Sequence, residues 1–253
     1  MNTVMLILKG IGIIVFLYII LLTVSSLLIN PKKTYEKENR YYRFLLNIST
    51  ACALKCARVR IRAEGMDRLP LNERFLLVSN HASNFDPIVT WYALRAYHLA
   101  FISKPENFKV PWFGRIIRKC CFLPIQRNDV ALSIDTFRQG AALMKKGAVS
   151  VAVYPEGTRS KTGDLLPFHP IVFYMAKAAN VPVAVMRIDG TREIRRRFPW
   201  RSTEVQIRII ETIPVSWVAA HDMKEICLRA EDDILHHEVK EDSSSEQDML
   251  YPV

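Results

Sequence analysis

Glycine is scarce, with nine in 253 residues. They do not gather into the Gly-rich loop that cradles nucleotide phosphates. Cysteine is also sparse. The five present (Cys52, Cys56, Cys120, Cys121 and Cys227) are odd in number and form no CxxC pair. That argues against a disulfide framework or a thiolate metal centre. All five read as reduced and structural in a cytosol-facing domain, with Cys52 and Cys56 one helical turn apart on a packed helix face. Internal repeats are absent. Acidic residues are in deficit, 25 Asp and Glu against 35 Lys and Arg, giving a formal charge of +10. Such a surplus suits an anionic partner: phospholipid headgroups, a phosphorylated substrate or nucleic acid.

What is abundant is apolar surface, at 50% of residues. Gly10 to Asn30 is uncharged and long enough to cross a bilayer. It outruns a signal-peptide core and lacks a small-x-small cleavage site. Lys32, Lys33, Lys37, Arg40 and Arg43 crowd its C-terminal side, which places the rest of the chain in the cytoplasm by the positive-inside tendency. A helix lying in the membrane interface is the alternative to one that spans. Tyr41 to Arg62 mixes aromatic, aliphatic and basic residues at helical spacing, as in a second amphipathic helix lying against the membrane or equally packed on the globular domain.

Beyond Gly65 and Pro70 the pattern alternates. Strands are expected at 75–80, 99–103, 121–125, 149–154, 181–188 and 205–210. Helices are expected at 87–97, 112–119, 131–146 and 171–179, and a last one at 222–236. This rhythm predicts an α/β fold, a mostly parallel central sheet flanked by helices. The expected organisation is a membrane helix (1–30), an amphipathic helix with linker (31–65), a globular domain (66–236) and a disordered acidic tail (237–253).

The first expected strand runs into Ser79-Asn80-His81, with Asp86-Pro87 five residues on. A spacing of five puts side chains on opposite faces of a strand and roughly 140° apart on a helix. Only a turn brings His81 to Asp86. Pro87 suits a first helical position, which makes Asp86 an expected N-cap. In a parallel sheet, ligands bind beyond the carboxyl ends of the strands. Those ends offer His81, then Lys104, then Gln126-Arg127, then the run Tyr154 to Ser160 with Glu156 and Arg159. One imidazole, several cations and a carboxylate would deprotonate a hydroxyl beside an anionic group.

These residues also carry a resemblance. NHASNFD (Asn80–Asp86) resembles the NHxxxxD signature of the glycerolipid acyltransferases, and YPEGTRS (Tyr154–Ser160) is similar to their EGTRS block. Phe101 to Arg127 resembles the block between, including its lysine, its Pro111-to-Gly114 turn and its final arginine. The blocks span about Phe75 to Thr191. Within the family the resemblance is to 1-acylglycerol-3-phosphate (lysophosphatidic acid) acyltransferases. It implies transfer from acyl-CoA or acyl-carrier protein to the sn-2 hydroxyl of a lysophospholipid at a membrane, with His81 as general base and Asp86 as its orienting partner. It further implies Lys104, Arg127, Glu156, Gly157, Thr158 and Arg159 as substrate-binding residues, with no metal, no cofactor and no nucleic acid.

Two stretches depart from the family pattern. Phe168-His169-Pro170-Ile171 lacks the usual lysine and glycine, and Val185 stands where a proline is usual. These changes bear on the acceptor more than on the proton-transfer pair, and leave as alternatives an acyltransferase for a different lysolipid or an amino-acid lipid, or a non-catalytic membrane protein that binds anionic lipid. Arg192 to Arg201, REIRRRFPWR, interleaves arginine with Phe198 and Trp200. That chemistry suits nucleic acid, an anionic membrane surface or a solvated loop.

Overall fold

A computed structural model describes residues 2–126, 130–236 and 249–251. The first helix, α1 (Asn2–Leu27), begins ahead of the uncharged stretch because Val4 to Leu8 carry the apolar run back across Lys9, within the span expected for the membrane helix. Within it, Thr3–Leu27 is long and apolar enough to cross a membrane, with a mean hydropathy of 2.7 in its most apolar window and no burial there. It ends short of Asn30, since Ile29 turns into the domain core.

The second helix, α2 (Arg40–Cys56), is started by Asn39, whose side chain accepts from the Tyr41 and Tyr42 amides. Tyr42, Leu45, Leu46 and Leu54 form its buried face. It lies antiparallel to α1. The Tyr18 hydroxyl is 2.8 Å from that of Ser49, and the Tyr42 hydroxyl donates to the Ser25 carbonyl at 3.0 Å. Cys52 and Cys56 face outward rather than packing, whereas the other three cysteines are buried. Arg43 is not a juxtamembrane charge. It is 6% exposed, pairs with Glu38 and donates to the Leu99 carbonyl at 3.0 Å.

The amphipathic helix also stops sooner than its expected limit at Arg62. Strand β1 (Val59–Glu64) takes over, its Val59, Ile61 and Ala63 buried and alternating with charged residues. The sheet therefore begins before residue 66. The remaining strands are β2 (Leu76–Ser79), β3 (Leu99–Ser103), β4 (Leu123–Pro124), β5 (Ser150–Val153), β6 (Val183–Asp189), β7 (Thr203–Ile213) and β8 (Met249–Tyr251). Their order is β4-β3-β5-β2-β6-β7-β1-β8. Pairing is parallel except for β6 with β7 and β1 with β8. Strand β8 corrects the expected disordered tail at those three residues: a short apolar run extends the open edge of β1. The rest of that tail lies outside the described residues.

Strands β2 and β5 are buried on both faces, as the middle of a two-sided α/β layer requires. The flanking helices are α3 (Asp86–Ala93), α4 (Phe113–Lys119), α5 (Val130–Lys145), α6 (Tyr174–Ala179) and α9 (Met223–His236). Two short helices were not expected from the sequence, α7 (Thr191–Arg197) and α8 (Val215–Ala220). Because β2 is parallel to β5 and β6, and β3 to β5, the carboxyl ends of all four open on one edge.

Candidate active site

Strand β2 delivers His81 to that edge, and the turn after it folds Asp86 back. Nδ1 of His81 lies 2.7 Å from Oδ2 of Asp86. The carboxylate is fully buried, while 14% of the His81 side chain is accessible. A carboxylate only accepts, so Nδ1 carries the proton and Nε2 presents its lone pair.

Asp86 does not cap α3 in the expected way. Oδ2 accepts from the amides of Ala82 and Ser83, both at 2.8 Å, which precede the helix. Oδ1 accepts the hydroxyl of Thr191 at the start of α7. With His81 this makes four partners, enough to hold a buried carboxylate. The preceding residue, Asn80, ties β2 to β6. Its amide donates to the Ile188 carbonyl at 2.9 Å and accepts from the Ile188 amide at 2.8 Å.

The loop after β5 closes the other side. The Tyr154 ring stacks on the His81 imidazole, with centroids 4.2 Å apart and planes inclined by 15°. Burial raises the Tyr154 phenol well above its usual range, with the Asp86 charge adding to it. Glu156 is 4% exposed. Its Oε1 accepts from the His81 amide at 2.5 Å and its Oε2 from the Leu166 amide at 3.2 Å. Burial pushes its carboxyl up to about 7, against the lowering effect of those two bonds. Ser160 returns a bond from its amide to the His81 carbonyl at 2.8 Å. Glu156 therefore braces the histidine loop, and both its oxygens are occupied within the chain.

Gly157 adopts φ +67°, where a Cβ would also lie 3.2 Å from the His169 ring. Gly190 (φ +85°) makes the turn into α7, with the Glu204 carbonyl 2.5 Å from any added Cβ. Thr158, Arg159 and Lys104 are exposed on the same edge, and neither cation has a partner among the described residues. Arg127 lies outside the described residues. A cavity of about 400 Å³ opens beside this group, lined by Tyr154, Gly157 and His169 and by the apolar Ile102, Ile134 and Phe137. Tyr154 thus stands between the imidazole and an apolar cavity. Sequence reasoning missed Asn80, Tyr154 and Thr191 as supports of the dyad. The asparagine before the histidine, a ring closing a strand, and a threonine after Asp189-Gly190 were their only signals.

An imidazole oriented by a buried carboxylate, with exposed cations and an apolar cavity on the same sheet edge of an α/β fold, is an arrangement that can take a proton from a hydroxyl. The chain belongs to the Acyltransferase family, whose model matches residues 60–189. It is 37% identical over 132 residues to the chloroplastic 1-acyl-sn-glycerol-3-phosphate acyltransferase BAT2 of Brassica napus, covering 52% of this chain and 38% of that protein. Against the alpha 1-acyl-sn-glycerol-3-phosphate acyltransferase of Homo sapiens the identity is 26% over 184 residues, covering 70% and 63%. The chain thus spans less than two thirds of these relatives. Its fold matches the crystal structure of the 1-acyl-sn-glycerophosphate acyltransferase PlsC from Thermotoga maritima, with TM-score 0.61, 22% identity and coverage of 88% of this chain and 91% of that one.

Proposed function

We propose that this protein is a membrane-bound O-acyltransferase that moves a fatty acyl group to the sn-2 hydroxyl of lysophosphatidic acid, giving phosphatidic acid. The donor is a thioester, acyl-CoA or acyl-carrier protein. The observation that carries the proposal is the His81–Asp86 pair, one ring away from an apolar cavity. His81 Nε2 takes the hydroxyl proton as the oxygen attacks the thioester carbonyl. The tetrahedral adduct collapses, the C–S bond breaks, and the imidazolium returns its proton to the leaving thiolate. Asp86 stabilises the imidazolium between those steps. The cavity takes the acyl chain, and Lys104 and Arg159, with Arg127, hold the phosphate; a guanidinium fork matches phosphate oxygens. These steps balance with the acyl donor as a substrate and without a cofactor or metal.

Helix α1 anchors the chain in the membrane. Exposed Lys32, Lys33, Lys37 and Arg40 beyond its C-terminal end support a cytoplasmic catalytic domain. The test is acyl transfer by the membrane-embedded protein, with both donors and a panel of lysolipid acceptors. Lysophosphatidic acid is expected to be preferred, and His81→Ala to abolish product while the fold is retained. Undiminished turnover by His81→Ala would sink the mechanism, and preference for another lysolipid would sink the acceptor.

A further inference from the structure

Helix α7 runs from the dyad to an exposed basic and aromatic tip. Thr191 and Ile194 anchor one side of it, each no more than 1% exposed. Arg195, Arg197 and Arg201 point outward, while Phe198 is 51% and Trp200 84% exposed. Not every arginine of the stretch is available. Arg192 is held by the carbonyls of Lys161 and Thr162, and Arg196 pairs with Glu193 at 3.2 Å. Arg195, Arg197 and Arg201 have no partner among the described residues.

The tip does not stand alone. The Thr203 amide donates to the Arg58 carbonyl at 3.1 Å, so the tip abuts the end of α2, where Lys55, Arg58 and Arg60 are exposed. The nearby acid, Glu204, is matched by Arg62 at 3.1 Å. Helix α1 also emerges here. Tyr18 is level with Ser49, and α2 ends seven residues later at Cys56. At 1.5 Å per residue, the sixteen residues from Tyr18 back to Asn2 carry α1 past the end of α2 by about 13 Å. Its unburied apolar end therefore projects beyond the same sheet edge as the tip.

We propose that the α7–β7 tip, Arg195 to Arg201, is a second membrane contact that docks on an anionic lipid surface and holds the active-site edge toward it. Trp200 and Phe198 enter the interface, and the three free arginines meet lipid phosphates. The proposal rests on α1 being the anchor but not on the acyl-transfer chemistry. The charge favours a surface of like-signed phosphates, and the adjoining apolar helix favours lipid over nucleic acid.

The test uses the full chain reconstituted in phosphatidylcholine vesicles carrying brominated lipid, with and without phosphatidylglycerol. Trp200 emission is isolated by subtracting the spectrum of Trp200→Phe. It should be quenched when phosphatidylglycerol is present and released by salt. Combined Arg195→Gln, Arg197→Gln and Arg201→Gln should weaken docking by about fivefold per arginine. Vesicle attachment through α1, far-UV circular dichroism and turnover of detergent-dispersed substrate should all persist. Unquenched Trp200 in phosphatidylglycerol vesicles would overturn the proposal. So would quenching indifferent to the arginine changes, or a Trp200 response to single-stranded RNA but not to the vesicles. His81→Ala, which tests the chemistry, should leave the quenching intact.

Discussion

Asp86→Asn separates the charge of the dyad from its scaffold. Oδ2 is approached by three donors, the Ala82 and Ser83 amides and His81 Nδ1–H. An asparagine turned to put its NH₂ there would face donors with donors, so its carbonyl oxygen must take that place. Its NH₂ then faces Thr191, whose hydroxyl can accept as well as donate. All four contacts survive, and the tautomer of His81 is kept. What is lost is a negative charge beside an imidazole that becomes cationic during the reaction. At about 4 Å between charge centres and an effective dielectric of about 20, that attraction is about 4 kcal/mol. It corresponds to about 10³ in rate. Partial access of water to His81 lowers this, so kcat should fall about 10²–10³-fold with KM little changed. Thiol release from acyl-CoA measures it.

Stability should respond differently. The asparagine variant should unfold within about 1 kcal/mol of the parent, because the loop keeps its bonds. Asp86→Ala loses the same charge and also strands the buried Ser83 amide, the partly buried Ala82 amide and the Thr191 hydroxyl, at up to about 1–3 kcal/mol each before relaxation. Its thermal midpoint should drop clearly below that of Asp86→Asn. A kcat for Asp86→Asn within about threefold of the parent would refute the electrostatic argument. Equal destabilisation by both substitutions would refute the argument from the loop.

Thr191→Val should lower kcat about tenfold and cost about 1 kcal/mol of stability, with KM unchanged and Thr191→Ser restoring both; a kcat equal to the parent would remove Thr191 from positioning Asp86. Arg159→Ala should raise KM for lysophosphatidic acid about 10–100-fold through loss of a charged hydrogen bond, leaving kcat and the thermal midpoint alone since Arg159 is exposed. Glu156 holds its proton up to about pH 7 in the fold against 4.5 ordinarily. The folded state therefore binds more protons than the unfolded one between those values, and stability falls as pH rises through that window, by at most about 3 kcal/mol. Glu156→Gln should abolish that slope, so its thermal midpoint relative to the parent should rise from about pH 5 to about pH 7.5; a difference indifferent to pH would refute the assignment.

The elements legible in the sequence are those that carry their own signal. Leu76 to Ser79 and Ser150 to Val153 are apolar runs buried on both faces, and His81 and Glu156 follow directly from them. Strand β1 was hidden because Arg60 and Arg62 alternate with Val59 and Ile61. Over so short a stretch, that period continues the helical mixture before it. Asp86-Pro87 looks like a cap because the local pattern shows only the helix ahead, not the amides behind that the carboxylate reaches. Thr191 was invisible because its partner lies 105 residues away. Arg43 was misread as a membrane-flanking charge because its burial depends on Glu38 and on the carbonyl of Leu99, 56 residues away at the start of β3.

The supports of the dyad come from both strands that flank β2. Strand β2 is hydrogen-bonded to β5 on one side and β6 on the other. The loop that follows it is tied to both neighbours at once. Toward β5 the ties are His81 to Glu156 and Ser160 to His81; toward β6 they are Asn80 to Ile188 and Thr191 to Asp86. These supports are buried or nearly so, while Lys104 and Arg159 are exposed and without a partner among the described residues. Changes to the supports should therefore appear in kcat and stability together, because the same bonds fix the imidazole and close the sheet edge. Changes to the free cations should appear in KM alone. A support substitution that raised KM without touching kcat would mean the loop is positioned by substrate rather than by its two neighbouring strands.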